Sequence, residues 1–224
     1  MAHPLLLPGT VLARWEHASA TPGTTTVLPD GCRDLILRLD TASGEAEAMV
    51  TPLDTQARPV STLRPTQWFG FRLRPGVQVD EPGLLAAADA ARRAGGWDEG
   101  RVLSALDDHV RLHPHAAEAL EALQTCESVG DAARALGTSP RSLERMLAQA
   151  TGQPPRYWRA LARVRRAACA LQGCAPLAAI AADHGYADQA HFSRECLRWL
   201  GQTPSTLRRL PDLLATVAQP GYGG

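Results

Sequence analysis

Two sets of side chains have types and spacings that could act on a polyanion. Arg141, Ser142 and Arg145 fall on one face of a stretch with helical periodicity, and Gln189, Ala190, His191 and Arg194 fall on the matching face of a second stretch. A guanidinium fits the O6/N7 edge of guanine and a carboxamide fits the N6/N7 edge of adenine, so a helix presenting these groups in a major groove reads base edges. For any single arginine the plain alternative is a solvated helix face, or a pair with Glu144, Asp188 or Glu195.

A second group lies earlier in the chain. Cys32 stands in a turn beside Arg33, where a cation favours the thiolate and burial favours an inert thiol. A sheet closed around Trp68, Phe69 and Phe71, with Arg33 and Asp34 nearby, could enclose a small-molecule pocket, so Cys32, Arg33, Trp68 and Phe71 are the candidate effector-binding residues. The bland reading is that these aromatics fill a core. His109 and His113, four apart on a predicted helix near Asp108 and His115, have the spacing of two metal ligands, but no third ligand is fixed by spacing and no metal is expected. The five cysteines, Cys32, Cys126, Cys169, Cys174 and Cys196, form no CxxC pair and read as reduced thiols. There is no glycine-rich phosphate loop and no GxSxG elbow, so no catalytic residue, enzymatic activity or cofactor is expected.

The elements that must position the first set are repeated. Val129, Ala132, Ala133, Leu136 and Gly137 stand 48 positions before Leu177, Ile180, Ala181, His184 and Gly185; Leu143 and Arg145 stand 49 before Phe192 and Arg194, and Gly152-Gln153-Pro154-Pro155 stands 49 before Gly201-Gln202-Thr203-Pro204. Each copy has a small residue where two helices cross, a glycine for the sharp turn, a capping residue (Ser139, Asp188) and inward apolar positions (Leu143 and Leu147, Phe192 and Cys196), the parts of a helix-turn-helix. A helix over Pro155–Gln172 joins them, about 27 Å at ~1.5 Å per residue, close to the ~34 Å between successive major-groove faces. Arg156, Arg159, Arg163, Arg165 and Arg166 surround its apolar stripe.

Val11 to Val79 reads as strands (24–28, 34–39, 48–51 and 68–73) punctuated by Pro22-Gly23, Pro29-Asp30-Gly31 and Pro75-Gly76. Helices are predicted over 84–94, 98–112 and 116–125, separated by Gly95-Gly96 and His113-Pro114. The expected fold is therefore α+β. It comprises a β-rich, barrel- or cupin-like regulatory domain (1–80), a helical connector that could also dimerise (81–126), an all-α double helix-turn-helix domain (127–210) and a tail (211–224). With 224 residues two cores are affordable. No apolar run approaches the ~20 residues of a membrane span, and no leader pattern opens the chain, so a cytoplasmic location without a membrane partner is expected. The zero net charge conceals an asymmetry: 1–126 holds 11 Arg against 16 Asp plus Glu, and 127–224 holds 12 against 7. Only the second half is expected to meet a polyanion.

Val129 to Leu210 resembles the DNA-binding domain of the AraC/XylS family of transcription regulators. The motifs that carry the resemblance are Ile180-Ala181, Gly185-Tyr186, Asp188-Gln189, His191-Phe192-Ser193-Arg194, Gly201-Gln202-Thr203-Pro204 and Arg208. Cys196, where the family keeps Phe, and Glu144 depart from its pattern. The resemblance implies Arg141, Ser142 and Arg145 on a first recognition helix and Gln189, Ala190, His191 and Arg194 on a second. Implied partners are double-stranded DNA and RNA polymerase, with a small-molecule effector and a homodimer as further expectations. Residues 28–36 and 71–76 resemble a β-rich domain found ahead of such DNA-binding domains. Two other classes stay open: a ligand-binding module whose helices only associate with proteins, and a DNA-repair alkyl acceptor using Cys32.

Overall fold

The computed structural model describes residues 6–94 and 97–224; Gly95-Gly96 lies outside the described residues. Seven strands come first: β1 (Val11–Ser19), β2 (Gly23–Val27), β3 (Asp34–Asp40), β4 (Ala46–Val50), β5 (Arg58–Thr62), β6 (Thr66–Leu73) and β7 (Val77–Val79). Four of them make an open antiparallel sheet in the order β1-β6-β3-β4, while β2 and β5 pair as a separate ribbon. The β3–β4 hairpin is closed by Asp40, whose carboxylate accepts from Ser43 N (3.0 Å) and Ala42 N (2.9 Å); these backbone donors hold it below the usual carboxylate range.

The two-residue period divides the sheet. In register, Leu35 opposes Phe71 and Leu37 opposes Phe69, so Phe69, Phe71 and Leu73 share one face with Leu35 and Leu37. That face is covered by α1 (Glu81–Arg93), through Leu84 and Ala88, and by α2 (Glu99–His109), through Val102, Leu103 and Leu106. Each of the Leu and Val side chains, taken fully from water, contributes about 1.5–3 kcal/mol. Asp80 and Asp98 cap the two helices at the amides of Gly83 and Arg101. Trp68, Gly70 and Arg72 point to the opposite face, where the indole of Trp15 lies across Gly70 in a space any Cβ would take, and donates to Asp34 Oδ1 at 2.7 Å.

The helix expected over 98–112 ends instead at His109, and β8 (Val110–Leu112) pairs antiparallel with β7. Pro114 disfavours helical backbone at His113, and β-branched Val110 suits the ladder, so the chain leaves the helix early. The two histidines therefore never share a helix face: His109 Nδ1 meets Asp80 Oδ2 at 2.9 Å, and His113 caps α3 (Pro114–Thr125), its Nδ1 accepting from Ala116 N.

The helical core is organised around α6 (Pro155–Cys169), which continues as a 3-10 turn over Ala170–Gln172. Trp158, Leu161, Val164 and Ala168 along it are fully buried. Around it stand α4 (Val129–Ala135), α5 (Pro140–Thr151), α7 (Leu177–Asp183), α8 (Gln189–Leu200), α9 (Pro204–Leu207) and α10 (Pro211–Val217). The segment 81–126 divides between cores: α1 and α2 belong to the sheet, whereas Ala116, Ala119, Leu120 and Leu123 of α3 join the helical core. Residues past 210 do too, through Leu214, Val217 and Tyr222.

The two halves are joined by polar contacts: Tyr222 N donates to Asp30 O (2.7 Å), Arg165, only 1% exposed, donates to Pro29 O (3.5 Å), and Arg72 donates to Pro220 O (3.0 Å). Contacts within each half hold these groups in place: Tyr222 OH donates to Leu120 O (2.8 Å) and Arg165 to Gln219 O (2.7 Å), while Arg72 pairs with Asp30 (3.1 Å) and Asp34 (3.4 Å). A second bridge runs from Ala57 N to Trp199 O (2.9 Å) and from Tyr157 OH to Asp54 O (2.9 Å).

Candidate nucleic-acid interface

The internal repeat is reproduced element by element. α4 and α7 each span seven residues at an offset of 48, and α5 and α8 each span twelve at an offset of 49. At both turns the glycine takes a left-handed backbone, Gly137 at φ 63° and Gly185 at φ 71°, which admits no Cβ without strain. Thr138 N donates to Ala133 O and Tyr186 N to Ala181 O, each at 2.9 Å, so equivalent bonds close the first helix of each unit at its buried alanine. Ser139 and Asp188 then cap α5 and α8, accepting from Ser142 N (3.1 Å) and His191 N (2.6 Å).

Packing decides which side chains remain outside. Leu143 and Leu147 of α5, and Phe192, Cys196 and Trp199 of α8, are buried; Cys196 is fully enclosed and burial pushes its thiol up to about 12. On the opposite faces Arg141, Arg145, Gln189, Ala190 and Arg194 are exposed, and Ser142 and His191 are half-buried. Ser142 Oγ is held by Ser139 Oγ (3.0 Å), and the His191 ring stands edge-on to Tyr186. Among the described residues none of Arg141, Arg145 and Arg194 makes an ion pair, although Glu144 and Glu195 lie close in sequence; Glu195 pairs with Arg198 instead (3.6 Å). Arg141 and Arg156 also line an open cleft of about 490 Å³ beside the first unit.

Of the five arginines around the apolar stripe of the linking helix, four are bound into the domain. Arg165 is core, Arg159 is bound to Cys126 O (2.5 Å), Arg166 reaches Gln124 O (3.5 Å), and Arg163 lies over the Tyr186 ring at 4.5 Å and donates to Gly185 O. Their hydrophobic stems and carbonyl partners fix the frame of the domain. Arg163 holds the second turn in place, a role that spacing alone did not reveal.

The four effector candidates are not brought together. Trp68 and Phe71, three apart on β6, point to opposite faces, Phe71 into the sheet core and Trp68 against His17 (ring centroids 5.3 Å). Cys32 is buried, and burial with Asp30 beside it raises its thiol well above the usual range, so it is not the activated thiolate its neighbour suggested. Arg33 turns away from it, to Thr51 O (2.9 Å) and Glu81 (2.7 Å). Among the described residues no group of three or more His, Cys, Asp or Glu is placed to hold a metal, and no helix is long and apolar enough to cross a membrane.

Residues 132–210 match a family of helix-turn-helix domains of the AraC type. Similar solved structures include an AraC-type transcriptional regulator from Chromobacterium violaceum (29% identity, 48% of this chain and 96% of that one, TM-score 0.41). They also include ToxT from Vibrio cholerae (9% identity, 93% and 98%, TM-score 0.46) and unsaturated fatty acid-bound ToxT from the same organism (9%, 92% and 97%, TM-score 0.42). No curated protein matches the chain. The exposed faces of α5 and α8 thus belong to an AraC-type helix-turn-helix domain, set behind a β-rich N-terminal region. Carrying that domain, the chain is a DNA-binding transcription regulator.

Proposed function

We propose that the chain reads a specific duplex site by placing α5 and α8 in adjacent major grooves, with Arg141, Ser142 and Arg145 at one and Gln189, Ala190, His191 and Arg194 at the other. The observation that carries this reading is the pair of capped helices whose outer faces hold arginines free of ion pairs among the described residues. α6 and its 3-10 turn measure roughly 28 Å, near the pitch that separates neighbouring major-groove faces. The β-rich half contacts the far ends of these helices, at Gln149–Thr151 and at Trp199–Gly201, which leaves their base-reading ends open. Its acidic balance keeps it away from the DNA backbone, and its role is regulatory, through an effector, a second copy of the chain, or both. RNA polymerase is the protein partner such a regulator implies.

The test is titration of the full chain with its selected duplex over a range of salt. Affinity falls with a log–log slope of about −0.9 per neutralised phosphate, and Arg194→Ala costs about 1–3 kcal/mol at the selected site while relaxing preference at one base pair. Arg145→Ala does the same at a position about one helical turn away. A flat salt response, or wild-type preference in both variants, removes this placement of the reading helices.

A further inference from the structure

Between the β-rich unit and the last turn of α5 lies a cleft of about 350 Å³, lined in part by Arg33, Arg74, Gln78, Gln149 and Thr151. We propose that this cleft binds a small polar organic anion, a carboxylate or phosphate ester, and that the anion is the effector; the second clause rests on the regulatory reading above.

The charge of the wall points to an anion. No Asp or Glu lines the cleft, although acids outnumber arginines in the half that builds most of it. Arg33 is already committed through Glu81, but Arg74 has no carboxylate within ion-pair reach among the described residues. Its Nε donates to Gly9 O at 2.7 Å, which orients the guanidinium while leaving both Nη groups as donors. A guanidinium so held meets a carboxylate or phosphate with a two-pronged contact. The remaining polar groups suit hydroxyls on the same ligand: Gln78 and Gln149 are exposed amides that donate and accept. The volume holds roughly a dozen water-sized groups at ~30 Å³ each, the scale of a metabolite.

Position supplies the coupling. One wall is the β7 segment and the turns before it; the other is Gln149–Thr151, the end of the helix that carries Arg141 and Arg145. An anion held between Arg74 and Gln149 binds best when these walls stand at one separation, and DNA and ligand then favour or oppose one another reciprocally.

The experiment is calorimetric titration of the full chain, without DNA, with citrate, 2-oxoglutarate, phosphoenolpyruvate and inorganic phosphate, and with glycerol and glucose as uncharged comparators. Saturable binding of at least one acid is expected, weakened at least tenfold in Arg74→Gln, which keeps a donor for Gly9 O and removes the charge, and unchanged in Arg93→Ala on α1. Phosphate alone binding identifies a free-phosphate site; a carbon acid binding more tightly identifies a metabolite site. No saturable binding by any anion, or equal binding in Arg74→Gln, overturns the proposal. Repeating the DNA titration with the bound acid separates the two readings: Arg74-dependent binding with unchanged DNA affinity keeps the anion site and removes its effector role.

Discussion

Arg72 sits between two carboxylates that the fold has taken out of water, Asp30 at 3.1 Å and Asp34 at 3.4 Å, with the side chains of all three largely buried. Burial raises the Asp30 carboxyl and Arg72 pulls it back. Removing the cation leaves charge buried without its partner, so Arg72→Met is expected to cost about 3–5 kcal/mol in urea unfolding. The sign of its pH dependence follows from the raised Asp30 value. A carboxyl whose folded pKa lies above its unfolded one contributes stability at low pH and loses it as pH rises through the folded value. Without Arg72 that value rises further, so the gap between variant and wild type should widen from pH 5 to pH 8. A gap that is constant with pH would mean that Asp30 does not sense Arg72.

At the scale of elements, α5 and α8 each depend on one capping side chain. Ser139 and Asp188 satisfy amides at the starts of α5 and α8 that no backbone carbonyl reaches. Ser139→Ala and Asp188→Ala should each lower the unfolding free energy by about 1 kcal/mol, and Asp188→Ser should restore most of the second loss. If alanine is silent at both positions, the helix starts are held by packing alone. Strands over 24–28, 34–39, 48–51 and 68–73 are legible as β-prone runs between Pro and Gly turns and correspond to β2, β3, β4 and β6, whereas β1, β5, β7 and β8 are not, because short or exposed strands owe their state to the partner across the ladder.

At the scale of the molecule, the helical unit is larger than its repeat. Sequence similarity ends near Leu210, yet Leu214, Val217 and Tyr222 lie in the same core, and α3 contributes four more buried side chains. At about 1.5–3 kcal/mol for each large apolar side chain, losing the three that follow 210 removes an amount comparable with the whole stability of a domain, about 5–15 kcal/mol. A fragment spanning 114–224 should therefore melt cooperatively, and 129–210 should not. A sharp melt of 129–210 at the same midpoint would show that α3 and the last residues only decorate the core.

Local rules written into the chain were enough for the duplicated turns. A glycine at a left-handed turn, a capping hydroxyl or carboxylate and an apolar stripe every three to four residues act over a few bonds, so the seven candidate residues could be placed on the outer faces of α5 and α8 from spacing alone. Period two likewise sets Trp68 and Phe71 on opposite faces once β6 is known to be a strand. What no local rule contained was how distant segments meet: that Arg165, in a run of arginines, would be buried beneath Pro29 and Gln219, that Asp30 and Gly31 would seat against Tyr222, and that Arg74 and Gln149 would line one cleft. Those contacts join residues far apart along the chain, and only the packing of the sheet against the helical core decides them.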